Sequence, residues 1–141
     1  MLLGHVGLRA LEEEGWAGDA VGGLTLGADP IACAIAHRSR IEGSDLDAFT
    51  VRKQVKEHGH GRRVEGPIGP QSRVVVVEDT LTTGGSALAA VHALRELGCH
   101  VLGVLALVDR LGGGGEALAD EGLSLLPLFT APELLAGDPE A

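Results

Sequence analysis

The sequence is poor in aromatic residues and in cysteine. It has no tyrosine, two phenylalanines and one tryptophan, so aromatic side chains make up 2% of its 141 residues. Two cysteines, Cys33 and Cys99, are too few and too far apart to define a disulfide framework or a metal site. The economical interpretation is a pair of unpaired core thiols in a reducing compartment, which predicts a cytoplasmic protein.

Basic residues are also scarce, with 11 Lys and Arg against 20 Asp and Glu and a formal net charge of −9. This charge argues against a nucleic-acid polymer or an anionic membrane as a partner, because nothing would offset the repulsion. The longest apolar stretch, residues 101–108, is far too short to span a bilayer, and no basic leader precedes a cleavable apolar segment. A phosphate-bearing ligand would therefore need a local cluster of cations.

The length and composition fit a single domain over residues 1–141, with 45% hydrophobic residues and one three-layer core. Patterns typical of strands alternate with patterns typical of helices. This alternation predicts an α/β fold with a doubly wound, mostly parallel sheet in three α/β/α layers, which binds ligands at the carboxyl ends of its strands. The predicted strands are 20–26, 46–51, 74–78, 101–108 and 125–129, and the predicted helices are 2–14, 30–37, 85–97 and 115–121, with a last turn at 132–136.

The most informative segment follows the buried strand Val74–Val77. Two acids, Glu78 and Asp79, come first, and hydroxyls and glycines then lead into a helix. Such a turn aims backbone N–H groups and the positive helix end at one point, which is typical of a phosphate cradle. The acids can accept hydrogen bonds from ribose hydroxyls or orient Mg²⁺ through its waters. The segment predicts a sugar-phosphate site, and an ordinary strand-to-helix turn is the alternative; its other residues are Thr80, Leu81, Thr82, Thr83, Gly84, Gly85 and Ser86.

Residues 52–72 have no periodicity, and their first part concentrates cations in an otherwise acidic chain. A loop of more than about 15 residues in a compact domain is usually a lid or a disordered insert. We predict a flexible catalytic loop whose cations close over a pyrophosphate, and a solvated charged loop is the alternative. The cations are Arg52, Lys53, Lys56 and His58. By contrast, the run Gly112–Gly115 predicts only a flexible turn.

These segments resemble the type I phosphoribosyltransferases. Residues 78–86 resemble the family's signature for 5-phosphoribosyl 1-pyrophosphate (PRPP), and residues 49–59 resemble the catalytic loop of the orotate phosphoribosyltransferases. Residues 22–30 resemble the loop whose backbone amides bind pyrophosphate, and residues 108–110 resemble the stretch whose arginine meets the orotate carboxylate. The ending, residues 128–135, is similar too. The resemblance runs in order from about residue 20 to residue 136.

The resemblance implies the type I phosphoribosyltransferase fold and transfer of the phosphoribosyl group from PRPP to orotate, giving orotidine 5′-monophosphate in UMP biosynthesis. It implies Mg²⁺ held mainly by PRPP and water, with no dedicated protein ligands, and a homodimer whose catalytic loop reaches the neighbouring subunit's site. The implied catalytic residues are Arg52, Lys53, Lys56, His58 and Asp79. The implied PRPP contacts are those four cations together with residues 78–86, the pyrophosphate loop is Thr25, Leu26 and Gly27, and the orotate contacts are Thr82 and Arg110.

The front of the chain departs from the family pattern. Orotate phosphoribosyltransferases usually begin with an extra helix and strand that help to cover the base. This sequence opens at what resembles the following helix. We expect either a start placed too late or a shortened relative with a more open base site.

Two other functions share this fold. A purine phosphoribosyltransferase usually stacks its base on an aromatic side chain, and the 2% aromatic content counts against it. A regulatory module that binds PRPP or a nucleotide without turnover would not need four cations on one loop.

Overall fold

A computed structural model describes residues 2–54 and 63–136 of the chain. The helices are α1 (Leu2–Glu14), α2 (Asp29–Ile41), α3 (Gly85–Leu97), α4 (Gly114–Asp120) and α5 (Ala131–Ala136). The strands are β1 (Ala20–Leu24), β2 (Asp47–Val51), β3 (Val64–Glu65), β4 (Arg73–Leu81), β5 (His100–Asp109) and β6 (Leu125–Thr130).

The strands form one six-stranded sheet in the order β3-β2-β1-β4-β5-β6. Every neighbouring pair is parallel except β2 and β3, which are antiparallel. The predicted α/β class and mostly parallel sheet are confirmed. The central position of β1, β4 and β5 brings the segments after these three strands to the same edge of the sheet.

The four valines of β4 show why the domain has three layers. Side chains alternate between the two faces of a strand, so Val74 and Val76 point one way and Val75 and Val77 the other. Val74 and Val76 belong to the apolar cluster that contains α3 residues, and Val75 and Val77 belong to the cluster that contains α1 and α2 residues. All four are at most 1% exposed. This continuous apolar run is typical of a strand covered on both faces.

Three boundaries differ from the sequence prediction by more than one residue. Strand β1 ends at Leu24, α2 extends to Ile41, and β4 continues to Leu81, so both acids of the motif lie within the strand. The prediction of an unbroken loop over 52–72 was wrong in one part, because Val64–Glu65 pairs with β2. A strand of two residues is too short to show an alternating pattern in the sequence, so β3 is recognised only by its hydrogen bonds with β2. Residues 55–62 lie outside the described part of the chain.

Single residues refine the picture of the core. Trp16 is a packing residue, since its ring lies against Gly103, where a Cβ atom would collide with it. Both cysteines are free; Cys99 is buried as predicted, but Cys33 is exposed and is not a core thiol. None of the helices in residues 2–54 and 63–136 is long and apolar enough to cross a membrane.

Candidate functional site

The turn between β4 and α3 presents a row of unused backbone donors. Strand β4 ends at Leu81, and Gly84 precedes α3 in a left-handed conformation with a φ of 92° that favours glycine. Within the described part of the chain, the backbone N–H groups of residues 82–86 have no hydrogen-bond acceptor. They line a cavity of about 240 Å³ together with Glu78 and Thr80. Free amides at a helix N-terminus bind phosphate, as the sequence predicts for this turn.

The two acids of the motif have different surroundings. Glu78 is 7% exposed, whereas Asp79 is exposed and its Oδ1 atom accepts a hydrogen bond of 2.8 Å from the Thr80 N–H. Burial raises the pKa of Glu78 from the ordinary 4.5 to about 7, and the neighbouring Asp79 carboxylate adds to the rise. Glu78 is therefore poised to lose its proton near neutral pH when a cation or hydrogen-bond donors arrive.

The loop between β1 and α2 lies against Asp79. Among residues 2–54 and 63–136, no acceptor is found for the backbone N–H groups of Leu26 and Gly27. A Cβ atom placed on Gly27 would be 2.8 Å from Oδ2 of Asp79. The Thr25–Leu26 peptide bond is cis. The structure thus brings the predicted pyrophosphate loop close to Asp79, one of the two acids that are predicted to hold the ribose.

The loop after β5 forms a third wall of the site, beside the turn after β4 and the loop after β1. Gly114 donates a backbone hydrogen bond of 3.0 Å to the carbonyl of Thr82, and a Cβ atom on Gly112 would be 2.9 Å from the same oxygen. Buried Asp109 accepts a hydrogen bond of 2.9 Å from the Leu111 N–H, and Leu111 has a φ of 60°. The prediction of a turn over Gly112–Gly115 was wrong in part, because α4 begins at Gly114, and the backbone of Gly112 and Gly114 packs against that of Thr82. The signal was a run of four glycines at the start of a helix, of which Gly114 and Gly115 belong to α4.

Arg110 is the first residue after β5 and is hydrogen-bonded to the residue that precedes Thr82. Its backbone N–H donates a hydrogen bond of 2.9 Å to the carbonyl of Leu81, and its side chain is exposed. Within residues 2–54 and 63–136, Arg110 forms no ion pair with Asp109, Glu116 or any other acid. The two residues predicted to meet orotate, Thr82 and Arg110, therefore come from adjoining segments.

The structure describes two of the four cations of this segment, Arg52 and Lys53. Lys56 and His58 lie outside the described residues. Lys53 is exposed, and Arg52 forms an ion pair of 2.7 Å with Glu65. The Arg52 N–H also donates to the carbonyl of Arg63 at 2.7 Å. Arg52 thus holds the base of the β2–β3 hairpin, a role that the sequence analysis missed.

Two further observations bear on the choice of ligand. A larger cavity, of about 620 Å³, opens beside the amino ends of β1 and β2. Its lining contains Glu12, Asp19, Asp45 and Asp47 and no cation, so it does not suit an anion. The described ranges contain no group of three or more His, Cys, Asp or Glu side chains that could hold a metal ion.

Comparison with known proteins agrees with this geometry. A family model for the phosphoribosyl transferase domain matches residues 11–127. The orotate phosphoribosyltransferase of Corynebacterium glutamicum (strain R) is 54% identical over 119 residues, which are 84% of this chain and 63% of that protein. The enzyme of the same name from Aquifex aeolicus is 54% identical over 117 residues, 83% of this chain and 64% of that protein. The chain therefore spans somewhat less than two thirds of the length of these relatives.

A solved structure extends the comparison to three dimensions. The crystal structure of Mycobacterium tuberculosis orotate phosphoribosyltransferase in complex with PRPP superimposes with a TM-score of 0.81 and 44% identity. The match covers 94% of this chain and 75% of that one.

Proposed function

This chain belongs to the phosphoribosyltransferase family, and we propose that it transfers the 5-phosphoribosyl group from PRPP to orotate, giving orotidine 5′-monophosphate and pyrophosphate in UMP biosynthesis. The observation that carries the proposal is the meeting of three segments at one edge of the sheet: the free amides of residues 82–86, the free amides of Leu26 and Gly27, and the Thr82–Arg110 wall. The names of the curated relatives support the choice of orotate.

Each segment has a part in a substitution at the anomeric carbon of ribose. The amides of residues 82–86 hold the 5′-phosphate, and those of Leu26 and Gly27 hold the pyrophosphate. A ring nitrogen of orotate attacks the anomeric carbon as pyrophosphate leaves, so positive charge builds on the sugar and negative charge on the leaving group. The reaction requires no nucleophile from the protein, and catalysis is positioning and electrostatic stabilisation.

Glu78 and Asp79 hold the ribose hydroxyls in this proposal. An ionised carboxylate accepts hydrogen bonds, so Glu78 must release its proton as PRPP binds. Carboxylate oxygens also suit Mg²⁺, and two acids with no third ligand among the described residues fit an ion held mainly by PRPP and water. When bound, Mg²⁺ neutralises charge on the leaving group.

We extend the proposal to the cationic segment and to the assembly. Lys53, Lys56 and His58 neutralise the departing pyrophosphate, whereas Arg52 would have to leave Glu65 to join them. By the family resemblance, the chain forms a cytoplasmic homodimer in which this segment reaches the neighbouring site. Light scattering with and without Mg²⁺ and PRPP would measure the oligomeric state.

Arg110 is the feature that favours orotate over a purine. A guanidinium forms two parallel hydrogen bonds with a carboxylate, which orotate carries and the purine bases lack. The exposed Arg110 side chain has no competing ion pair within the described residues.

A panel of acceptor bases tests the proposal. Pyrophosphate release from PRPP and Mg²⁺ would be followed with orotate, uracil, adenine and hypoxanthine. We expect release with orotate alone. Release with a purine would replace orotate by that base, and PRPP binding without release for any base would make the chain a regulatory module.

A further inference from the structure

Asp29 connects three parts of the site through both of its carboxylate oxygens. It is the first residue of α2 and is half-buried. Its Oδ2 atom accepts a hydrogen bond of 2.7 Å from the Thr25 hydroxyl, and its Oδ1 atom accepts one of 3.1 Å from the Thr50 hydroxyl. The Thr25 N–H donates to the carbonyl of Val51 at 2.9 Å, which closes a ring of hydrogen bonds. The loop after β1 is therefore tied to the end of β2.

This ring of hydrogen bonds does not involve the N–H groups that are proposed to bind pyrophosphate. Thr25 is bound through its hydroxyl and its N–H, whereas the N–H groups of Leu26 and Gly27, which follow it directly, have no acceptor in the described part of the chain. Gly27 is in turn in contact with Asp79. The hydrogen bonds of Thr25 fix the residue that directly precedes these two amides, and the closeness of Asp79 leaves little room for Gly27 to shift.

The end of β2 is the other end of this connection. Thr50 and Val51 are the last two residues of β2, and Arg52 follows as the first residue of the cationic segment. The Asp29 carboxylate thus links two parts of the proposed site. One is the loop after β1, which is proposed to bind pyrophosphate, and the other is the end of β2, where the cationic segment begins.

We propose that Asp29 is a positioning residue for the pyrophosphate half of the substrate, an inference that rests on the proposed function. Asp29 does not touch the ligand; it holds the Leu26 and Gly27 amides in register with the end of β2. The charge of Asp29 makes the idea testable. A carboxylate near a bound anion repels it, so simple electrostatics expects pyrophosphate to bind more tightly when Asp29 is removed. Positioning expects the reverse.

A merely structural role is the competing explanation. An acid in the first turn of a helix interacts favourably with the helix dipole, and its removal lowers stability. Such a role would lower the melting temperature and leave the pyrophosphate affinity of the folded protein unchanged.

The test measures binding of inorganic pyrophosphate with MgCl₂ by titration calorimetry on the full 141-residue chain. We expect Asp29→Ala to bind roughly tenfold more weakly, since it loses two hydrogen bonds to a charged group. Asp29→Asn should recover part of the affinity, because an amide can still pair with both hydroxyls. Thr50→Val, which retains the charge of Asp29, should weaken binding about threefold and serves if Asp29→Ala fails to fold.

Asp45→Ala is the matched control for charge. Asp45 is exposed on the turn before β2 and lies 3.8 Å from Arg40, so its removal changes the net charge equally without touching the ring. We expect unchanged or slightly tighter binding in this variant. Equal affinity in the unchanged chain, Asp29→Ala and Thr50→Val would overturn the inference alone. No pyrophosphate binding by the unchanged chain would overturn the proposed function and the inference together.

Discussion

Gly27 and Asp79 touch across the ends of β1 and β4, so that a Cβ atom on Gly27 would be 2.8 Å from the Oδ2 atom of Asp79. This contact joins the loop proposed for the leaving group to the acid proposed for the ribose. A side chain at position 27 would occupy the place of the Asp79 carboxylate. The two proposed sub-sites therefore adjoin, and we expect a side chain at position 27 to displace the Asp79 carboxylate.

Gly27→Ala tests this contact. The obstructing atoms belong to an exposed side chain that can swing away, and the backbone at Gly27 has no positive φ. We expect the melting temperature to stay nearly unchanged while KM for PRPP rises about tenfold, because displaced Asp79 no longer meets the ribose. Steady-state kinetics and thermal unfolding measure the two effects.

Gly69→Ala is the control for Gly27→Ala, since a Cβ atom there meets nothing within 4 Å. It should leave KM for PRPP unchanged. An unchanged KM in Gly27→Ala as well would mean that Asp79 does not contact the substrate.

The raised pKa of Glu78 predicts a cost in stability. The folded pKa of about 7 exceeds the ordinary 4.5, so between these values the folded state keeps a proton that the unfolded state has released. The free energy of unfolding therefore falls as the pH rises through this window, by about 3 kcal/mol at most. Glu78→Gln removes the effect. We expect the free energy of unfolding, measured in urea, to be larger for the variant than for the unchanged chain at pH 8, and to be nearly equal for the two at pH 4, below the unfolded pKa.

Glu78→Gln should also weaken PRPP binding, because an amide presents only one acceptor oxygen to the ribose hydroxyls. The gain in stability and the loss of binding would then come from the same carboxylate. A variant that is no more stable at pH 8 would show that the carboxyl group is solvated in solution.

Arg110→Ala tests the choice of base. The guanidinium is exposed and has no ion pair within residues 2–54 and 63–136, so its removal should not disturb the fold. We expect KM for orotate to rise by 10- to 100-fold with little change in KM for PRPP, as for the loss of a charged hydrogen-bond pair. Arg110→Lys should restore little, because an ammonium group cannot pair with both carboxylate oxygens in one plane. Equal increases in both constants would place Arg110 outside the base site.

Lys56→Ala tests a prediction that comes from the sequence alone. If Lys56 stabilises the leaving pyrophosphate, kcat should fall on the order of 100-fold, as for other single electrostatic donors. PRPP affinity should change much less, since the charge develops only as the bond breaks. A full kcat in rapid-mixing experiments would remove Lys56 from the catalytic residues.

The mostly parallel sheet could be predicted from local patterns, and a site was predicted at the segment that follows the valines of β4. The four consecutive valines of β4 predict a strand that is covered on both faces. Residues 78–86 predict a phosphate site, because they combine acids, hydroxyls and glycines between a strand and a helix. The features that could not be predicted from the sequence depend on contacts between residues that are far apart in the chain. Strand β3 exists because Val64 and Glu65 pair with β2, and Gly112 and Gly114 approach the Thr82 carbonyl because the loop after β5 packs against the turn after β4. The ion pair of Arg52 with Glu65 spans 13 residues and has no local signature.

Conversion of orotate by the purified 141-residue chain is the most direct test of the central claim. With PRPP and Mg²⁺, the ultraviolet absorbance of orotate should decline, and chromatography should identify orotidine 5′-monophosphate as the product. The same assay with Asp79→Asn should show a much lower rate at equal protein concentration. An absorbance that stays constant while the chain still binds PRPP would contradict the account, because the site would then bind the substrate without transferring its phosphoribosyl group.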